Sequence, residues 1–456
     1  MPLTRRTAIS AALPLAAGIA AAEAPARAQQ PAPFTSRPIF GAKQWRLANG
    51  LRVVLAESHR APVVAHYVFY GAGSGEDPQG IGGVAHFMEH MMFKGSGNVP
   101  SGDFSRLVAR QGGQDNAFTS RDVTAYYQHV ESSRLALVMR MEADRMAGPL
   151  FNPAEFEAER SVVIEERRQV VESQPRSKFR EAFDAAMWGR QHWRGRPIIG
   201  WEEEIRAISR EDMLAFFSAR YAPGNATLVV AGDVEEARLR ELAEQTYGLI
   251  PARAFTPRNR GEIPIAPAMP RIEQTSPVTR EASFSRAIAA PSATWGETRH
   301  AWPLEVLAHV LGGGTGSRLH RALVESGIAV AAGAGYDSDV AGASIFSVSA
   351  TLRAPNTREA LEQIVEAELR RLVQDGVTEA EVARSIRQTT AGAMLALDGL
   401  GAAPRMLGGA LAIGLPMEDV EHWPEKLRAV TTEQVNEAAR AVLVNPLTTA
   451  GWLLPA

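Results

Sequence analysis

A five-residue segment, His86-Phe87-Met88-Glu89-His90, carries the residue types that metal-assisted hydrolysis needs. Residues four apart lie on one face of an α-helix, so the imidazoles of His86 and His90 can bind one metal ion. Glu89 then lies beside the same ion, where its carboxylate can act as a general base. This H-x-x-E-H order is typical of inverted zinc sites, in which two histidines bind zinc and the glutamate activates water. A chance pattern on an amphipathic helix is the alternative.

A catalytic zinc ion needs a third protein ligand and an open coordination position for water. Residues 152–173 offer candidates, because Asn152 or Pro153 can start a helix there and acids crowd its first turns. Glu159 and Glu166 are seven residues apart, close to two helical turns, so both carboxylates point the same way. On its own, such a helix is more typical of a solvated, salt-bridged surface. Its occurrence after an H-x-x-E-H segment favours a metal ligand.

Together the two segments resemble the pitrilysin, insulin-degrading enzyme and mitochondrial processing peptidase family of inverted-motif zinc metallopeptidases. Members of that family combine H-x-x-E-H with a distal E-R-x5-E segment, which Glu159-Arg160 and Glu166 match here. Glu165 is the competing acid for the third-ligand position, and the register of the match favours Glu166.

The resemblance implies a catalytic site with one Zn2+ per chain. It implies that the ion is bound by His86, His90 and Glu166. Glu89 would then activate the attacking water, and Glu159 would orient the ligand set. The sequence leaves open whether another divalent ion replaces zinc.

A third segment, GGQDNAFTSRDVTAYY at residues 112–127, is similar to the family's G-x-x-N-A-x-T-S strand. In the family this edge strand pairs with the substrate backbone beside the metal. The resemblance therefore assigns Asn116 and Ala117 to substrate binding by β-strand addition, which suits peptides bound with little side-chain preference. An ordinary edge strand without such a role is the alternative.

The second half of the chain repeats features of the first half. Residues 201–209 match residues 423–431 at a constant spacing of 222. Ala85-His86 likewise aligns with Ala308-His309, but Gly312 and Gly313 then occupy the positions of the active-site Glu and second His. The second copy therefore cannot form its own zinc site, and we interpret its histidine as a structural relic.

The composition is that of a soluble globular protein, with 45% hydrophobic and 22% charged residues, and 456 residues suggest more than one domain. The resemblance implies an α+β fold with two homologous lobes. Each lobe would be a mostly antiparallel sheet packed with helices, and the two would form half of a clam-shell chamber. We predict an export signal peptide (1–28), an N-terminal zinc-binding lobe (29–250), a proline-rich linker (251–270) and a C-terminal lobe without metal ligands (271–456).

The N-terminus predicts export to the periplasm. It combines a basic start, an apolar stretch from Ala8 to Ala22 and a small-x-small cleavage site at Ala26-Arg27-Ala28. The apolar stretch is too short to span a bilayer convincingly. Thr4-Arg5-Arg6 resembles a twin-arginine signal, and an ordinary secretory signal is the alternative.

Charge and cysteine content narrow the chemistry further. A formal net charge of −3 gives no reason to expect binding to nucleic acid or to anionic membranes. The chain has no cysteine, which excludes disulfides and thiolate ligands. Zinc would therefore be bound by histidine and carboxylate alone.

The chain departs from the family pattern in its second half. Complete members supply an Arg and a Tyr from a segment like L-R-E-K-x-G-L-A-Y to stabilise the oxyanion. Here Val324 and Val330 stand at those positions, and Arg321 and Tyr336 lie nearby but out of register. We therefore predict the zinc-bearing subunit of a heterodimer whose homologous partner provides the Arg–Tyr pair.

Three function classes follow from these patterns. The leading prediction is a zinc endopeptidase that cleaves peptides or unfolded segments, active in a two-chain complex. The alternative is a non-catalytic scaffold subunit of a larger assembly. A metal-dependent hydrolase of another substrate is disfavoured by the peptide-pairing strand at Asn116-Ala117.

Overall fold

The structure is a computed structural model that describes residues 37–261, 269–397 and 399–456. The predicted signal peptide and the middle of the predicted linker lie outside these ranges. Two β-sheets, both within a single compact unit, organise the described chain. Each sheet is packed with helices, which confirms the predicted α+β fold class.

The first lobe is built on a six-stranded sheet in the order β1-β2-β6-β3-β5-β4. Its strands are β1 (Lys43–Arg46), β2 (Arg52–Glu57), β3 (Val63–Tyr70), β4 (Gln114–Thr119), β5 (Thr124–Glu131) and β6 (Ala226–Gly232). Only β2 and β6 pair in parallel. The central strands β3 and β6 are apolar and almost wholly buried, as expected for strands covered on both faces.

The second lobe repeats this topology with five strands in the order β7-β11-β8-β10-β9. Its strands are β7 (Arg271–Ser276), β8 (Ser283–Ala290), β9 (Ala329–Tyr336), β10 (Ser344–Leu352) and β11 (Thr448–Pro455). Strands β7 and β11 pair in parallel, as β2 and β6 do in the first lobe, while the other pairs are antiparallel. The shared strand order confirms that the two lobes are homologous.

Helices cover both sheets. Those of the first half are α1 (Val84–Met91), α2 (Asp103–Arg110), α3 (Leu135–Ala147), α4 (Pro153–Arg167), α5 (Pro175–Trp188), α6 (Glu202–Ala207), α7 (Arg210–Arg220) and α8 (Glu236–Gln245). Those of the second half are α9 (Ala301–Gly312), α10 (Arg358–Gln374), α11 (Glu379–Ala396), α12 (Ala402–Ala412), α13 (Met417–Glu421), α14 (Trp423–Arg428) and α15 (Thr432–Val442). Among the described residues, none of the helices has the length and apolar character required to cross a bilayer.

The two lobes exchange one helix each. Phe179 and Phe183 of α5, from the first half, pack on the second sheet. Leu407 and Leu411 of α12, from the second half, pack on the first sheet. Gly408 allows this close approach, because a Cβ atom there would lie 2.1 Å from the ring of Phe69. Each lobe therefore completes the core of the other, and the exchange fixes the sheets relative to each other.

The described part of the proline-rich stretch is held against the first lobe. Arg258 binds Glu76 at 3.0 Å, and Arg260 binds Asp122 at 2.6 Å. Arg253 donates to the backbone oxygen of Tyr221 at 2.8 Å. Three arginines therefore tie residues 253–260 to the lobe that precedes them.

Candidate metal centre

The start of α1 is fixed by a glycine and a buried carboxylate. Gly83 caps the helix with a φ of +91°, and a Cβ atom there would lie 2.4 Å from the backbone oxygen of Ile199. Asp77 accepts hydrogen bonds from the backbone N–H of Gly83 at 2.7 Å and of Ala85 at 3.0 Å. Burial raises the pKa of Asp77 to about 7, against the opposing effect of these hydrogen bonds. The helix begins two residues before its first histidine.

Helix α1 buries one face in the lobe core and presents its histidines on another. Met88 and Met91 are buried in that core. Phe87 stacks on Phe156 of α4, with ring centroids 4.9 Å apart, and so joins the two helices that carry the predicted ligands. The rings of His86 and His90 lie side by side, with centroids 4.8 Å apart.

Three side-chain atoms from these helices converge. Glu166 Oε2 lies 3.2 Å from His90 Nε2 and 3.7 Å from His86 Nε2. One ligand atom from each residue lies within 4.8 Å of the other two. Zinc binds such atoms at about 2.0–2.2 Å, so neighbouring ligands of one ion lie about 3–4 Å apart. Among the described residues, the buried Glu166 Oε2 has no hydrogen-bond partner, and this donor set therefore fits a zinc ion.

Glu159 contacts His90 at Nδ1, the ring nitrogen that does not face Glu166. His90 Nδ1 lies 2.9 Å from Glu159 Oε1, and Lys94 Nζ lies 2.5 Å from Glu159 Oε2. Burial acts to raise the pKa of Glu159, but the hydrogen bonds from His90 and Lys94 lower it. Burial similarly opposes ionisation of His90, yet Glu159 and Glu166 raise its pKa to about 9. Nδ1 donates to Glu159 while Nε2 faces Glu166, and a metal ion would bind Nε2 by displacing its proton.

His86 has the opposite electrostatic environment. Its burial, together with the adjacent charge of His90, lowers the pKa of His86 to about 4. The ring is therefore neutral near pH 7, and a neutral imidazole is the form that binds a metal ion.

Glu89 is held by a residue that the sequence analysis did not single out. Thr119 Oγ1, at the end of strand β4, donates a hydrogen bond of 2.6 Å to Glu89 Oε2. Burial raises the pKa of Glu89, and this hydrogen bond limits the rise. Thr119 belongs to the N-A-x-T-S pattern quoted above, which is the signal that could have identified it.

Glu165 and Glu166 point in different directions. Glu165 is exposed and lies 3.4 Å from Arg168, the residue that follows α4. On the other side of Glu166, Arg167 is buried and binds Glu181 at 2.7 Å and the backbone oxygen of Gly200 at 2.7 Å. The buried arginine fixes the rotation of α4, which directs Glu166 and not Glu165 toward the two histidine rings.

Comparison with known proteins identifies the family. The chain matches the profile of "Insulinase (Peptidase family M16)" over residues 52–200 and that of "Peptidase M16 inactive domain" over residues 207–389. It is 30% identical over 411 residues to an uncharacterized zinc protease from Mycobacterium tuberculosis, covering 87% of this chain and 90% of that protein. The chain belongs to peptidase family M16.

Two solved structures share the fold of this M16 chain. A protease from Helicobacter pylori matches with a TM-score of 0.82 and 23% identity, over 92% of this chain and 100% of that chain. The periplasmic protease PqqL from Escherichia coli matches with a TM-score of 0.78 and 18% identity. That match covers 92% of this chain but only 48% of PqqL.

Strand β4, which carries Asn116 and Ala117, forms one edge of the first sheet. These residues pair with Tyr127 and Tyr126 of β5, and β4 has no second neighbour in the described sheet. Asn116 is exposed and Ala117 is half-buried. Because Thr119 ends the same strand and binds Glu89, this edge leads directly to the candidate metal centre.

The two valines that stand at the positions expected for Arg and Tyr lie in the second half of the chain. Val324 lies in a π-helical segment, His320–Glu325, and Val330 is exposed on β9. Arg321 lies 3.7 Å from Glu381, and the Tyr336 hydroxyl donates to the backbone oxygen of Pro291 at 2.7 Å. The two nearby polar residues are thus engaged in contacts within the second lobe.

Proposed function

We propose that this chain is a zinc-dependent endopeptidase that cleaves peptides or unfolded segments. The observation that carries the proposal is the convergence of His86, His90 and Glu166, with Glu89 next to them. A zinc ion bound there would polarise the scissile carbonyl and lower the pKa of a water molecule. Relatives named zinc proteases, such as the one from M. tuberculosis, support the choice of metal.

The protein's own residues position the reactants. Strand β4 would pair with the substrate backbone at Asn116 and Ala117, and this would bring the scissile bond beside the metal. Glu89 would accept a proton from the attacking water and return it to the leaving amine. The Thr119 hydroxyl fixes Glu89 Oε2, which leaves Oε1 as the oxygen that exchanges the proton.

We propose that a homologous partner chain completes the site. Val324 and Val330 carry neither charge nor hydrogen-bond donor in their side chains, so they cannot stabilise an oxyanion. PqqL is about twice as long as the part that this chain matches, as expected if a complete chamber contains two such halves. The partner would contribute the Arg–Tyr pair in trans.

We further propose that the protein acts in the periplasm after removal of residues 1–28. The signal-like pattern of the N-terminus supports this, and PqqL is described as a periplasmic protease. Mass spectrometry of the mature protein from a periplasmic extract tests it directly. We expect the first residue to be Gln29, whereas an intact Met1 would contradict export by cleavage.

The test of the hydrolytic proposal compares wild type with Glu89→Gln in peptide hydrolysis, with and without a homologous partner chain. Gln keeps the size and the hydrogen bond from Thr119 but cannot accept the proton. We expect activity of the assembled complex to fall by at least about 100-fold, in line with loss of a general base. Full activity of wild type without a partner would refute the partner requirement, and full activity of Glu89→Gln would refute the mechanism.

A non-catalytic scaffold is the second candidate. It is favoured by the match of residues 207–389 to the profile named for an inactive domain. Complementation of a deletion strain distinguishes the two functions. Rescue by Glu89→Gln as complete as by wild type would favour the scaffold.

A further inference from the structure

A cavity of about 240 Å3 lies among the helices of the second lobe, away from the candidate metal centre. Helices α9, α11, α12, α13 and α14 and the loop between β9 and β10 form its walls. Most of its surface is apolar and comes from Trp302, Met406, Leu415, Val420, Trp423 and Leu427. A cavity of this size is smaller than the usual pocket for a drug-sized ligand and matches a single amino-acid residue.

Two carboxylates line this apolar cavity without a cationic partner. Glu305 accepts a hydrogen bond from the backbone N–H of Ser338 at 3.2 Å, and Asp339 accepts one from the Ser338 hydroxyl at 2.9 Å. Neither forms an ion pair within the described ranges, whereas the third lining acid, Asp419, is paired with Lys426. Burial raises the pKa of Glu305 to about 7, so a bound cation would relieve unfavourable charge there, and the exposed Asp339 would supply a second negative charge.

One of the lining residues, Trp423, carries a hydrogen-bond donor that lacks a partner within the described chain. Trp423 is 8% exposed, and its Nε1–H has no acceptor in the part of the chain that the structure describes. A buried N–H without an acceptor is costly, and a ligand oxygen would satisfy it. Trp302 and Trp423 additionally offer aromatic faces that favour a cation.

We infer that this cavity binds an organic ammonium group with an adjacent hydrogen-bond acceptor and an apolar body. The N-terminal residue of a peptide and a free amino-acid amide both have this combination. The ammonium would lie between Glu305 and Asp339, the acceptor would face Trp423, and the apolar body would contact the aliphatic wall. A bare metal ion fits less well, because it would leave the apolar wall uncovered.

Calorimetric titration with small probes tests this inference. The full-length protein is used in the Glu89→Gln background, so that no probe is hydrolysed. The probes are L-phenylalaninamide, its N-acetyl derivative without the charge, phenethylamine without the acceptor, and the peptide Phe-Gly-Gly. We expect phenylalaninamide to bind at least about tenfold more tightly than the N-acetyl derivative, since a buried hydrogen-bonded charge is lost. Comparable binding of Phe-Gly-Gly would indicate a peptide N-terminus, and much weaker binding would indicate a free amide; both accord with the inference.

Variants assign the binding to the cavity. Glu305→Gln keeps an acceptor for Ser338 but removes the charge, and should weaken phenylalaninamide by about tenfold while sparing the N-acetyl derivative. Trp423→Phe should weaken phenylalaninamide but not phenethylamine. Glu433→Gln, 79% exposed at its side chain, is the matched control and should change nothing. Equal binding of charged and acetylated probes, no binding of any probe, or indifference to Glu305→Gln would overturn the inference. No residue of the metal centre takes part, so such a failure would leave the hydrolytic proposal intact.

Discussion

Replacing Thr119 by Val removes one hydroxyl group that the structure places against the candidate general base. The two side chains have nearly the same shape, so the principal loss is the 2.6 Å hydrogen bond to Glu89 Oε2. That length is typical of a charge-assisted O–H···O bond. Such a bond contributes about 1.5–3 kcal/mol, which corresponds to a reduction in kcat of about 10- to 150-fold if the whole contribution is felt in the transition state.

The assay measures kcat and KM on an internally quenched peptide with the assembled complex, together with the zinc content of each variant. We expect Thr119→Val to lower kcat with zinc content unchanged, because Thr119 contacts the base and none of the metal ligands. Thr119→Ser restores the hydroxyl and should recover most of the loss. A kcat within about twofold of wild type for Thr119→Val would refute the positioning role. A fall in kcat that Thr119→Ser does not repair would point to a general disturbance of strand β4.

Three further predictions concern the metal ligands, the packing of α12 and the pH dependence of stability. Lys94→Met removes the 2.5 Å contact with Glu159 and should weaken zinc binding by about 10- to 100-fold. Competition with a chelator measures this affinity, and an unchanged value would contradict the orienting role of Glu159. Gly408→Ala should lower Tm, at a cost of about 1–3 kcal/mol in stability, because the added Cβ would meet the Phe69 ring. The control Gly409→Ala adds its Cβ to open space and should raise Tm slightly. Equal Tm changes for the two variants would contradict the tight packing of α12. Burial opposes ionisation of Glu381, but Arg318 and Thr378 lower its pKa to about 2, so its stabilisation is complete above pH 4.5 and is lost as pH falls through about 2. Glu381→Gln should therefore cost about 2 kcal/mol near pH 7 and little near pH 2. An equal loss of stability at both pH values would contradict this prediction.

Local spacing was sufficient to predict which residues of α1 and α4 share a face. His86 and His90 are one helical turn apart, and the same periodicity places Glu159 and Glu166 along one side of α4. The shared strand order of the two lobes agrees with the sequence repeat between residues 201–209 and 423–431. The shared face of each helix depends on intervals within one element, which sequence periodicity reports directly, whereas the shared strand order depends on the repeat with a spacing of 222 residues.

Contacts between distant elements were not predictable in the same way. The N-A-x-T-S pattern includes Thr119 but does not indicate that its hydroxyl reaches a glutamate 30 residues earlier, since that depends on how β4 packs beside α1. The exchange of α5 and α12 is similar, because an apolar helix face does not specify which of two homologous sheets it covers. Arg258 and Arg260 belong to the predicted proline-rich linker, yet each forms an ion pair with a carboxylate of the first lobe.

The proposed hydrolysis depends on one zinc ion bound by His86, His90 and Glu166. The most direct measurement is the zinc stoichiometry of purified wild type, Glu166→Gln and Glu165→Gln after dialysis against a weak chelator. The geometry predicts one zinc per chain in wild type and in Glu165→Gln, and loss of zinc in Glu166→Gln. Zinc retained by Glu166→Gln but lost from Glu165→Gln, or absent from wild type, would rule out this metal centre.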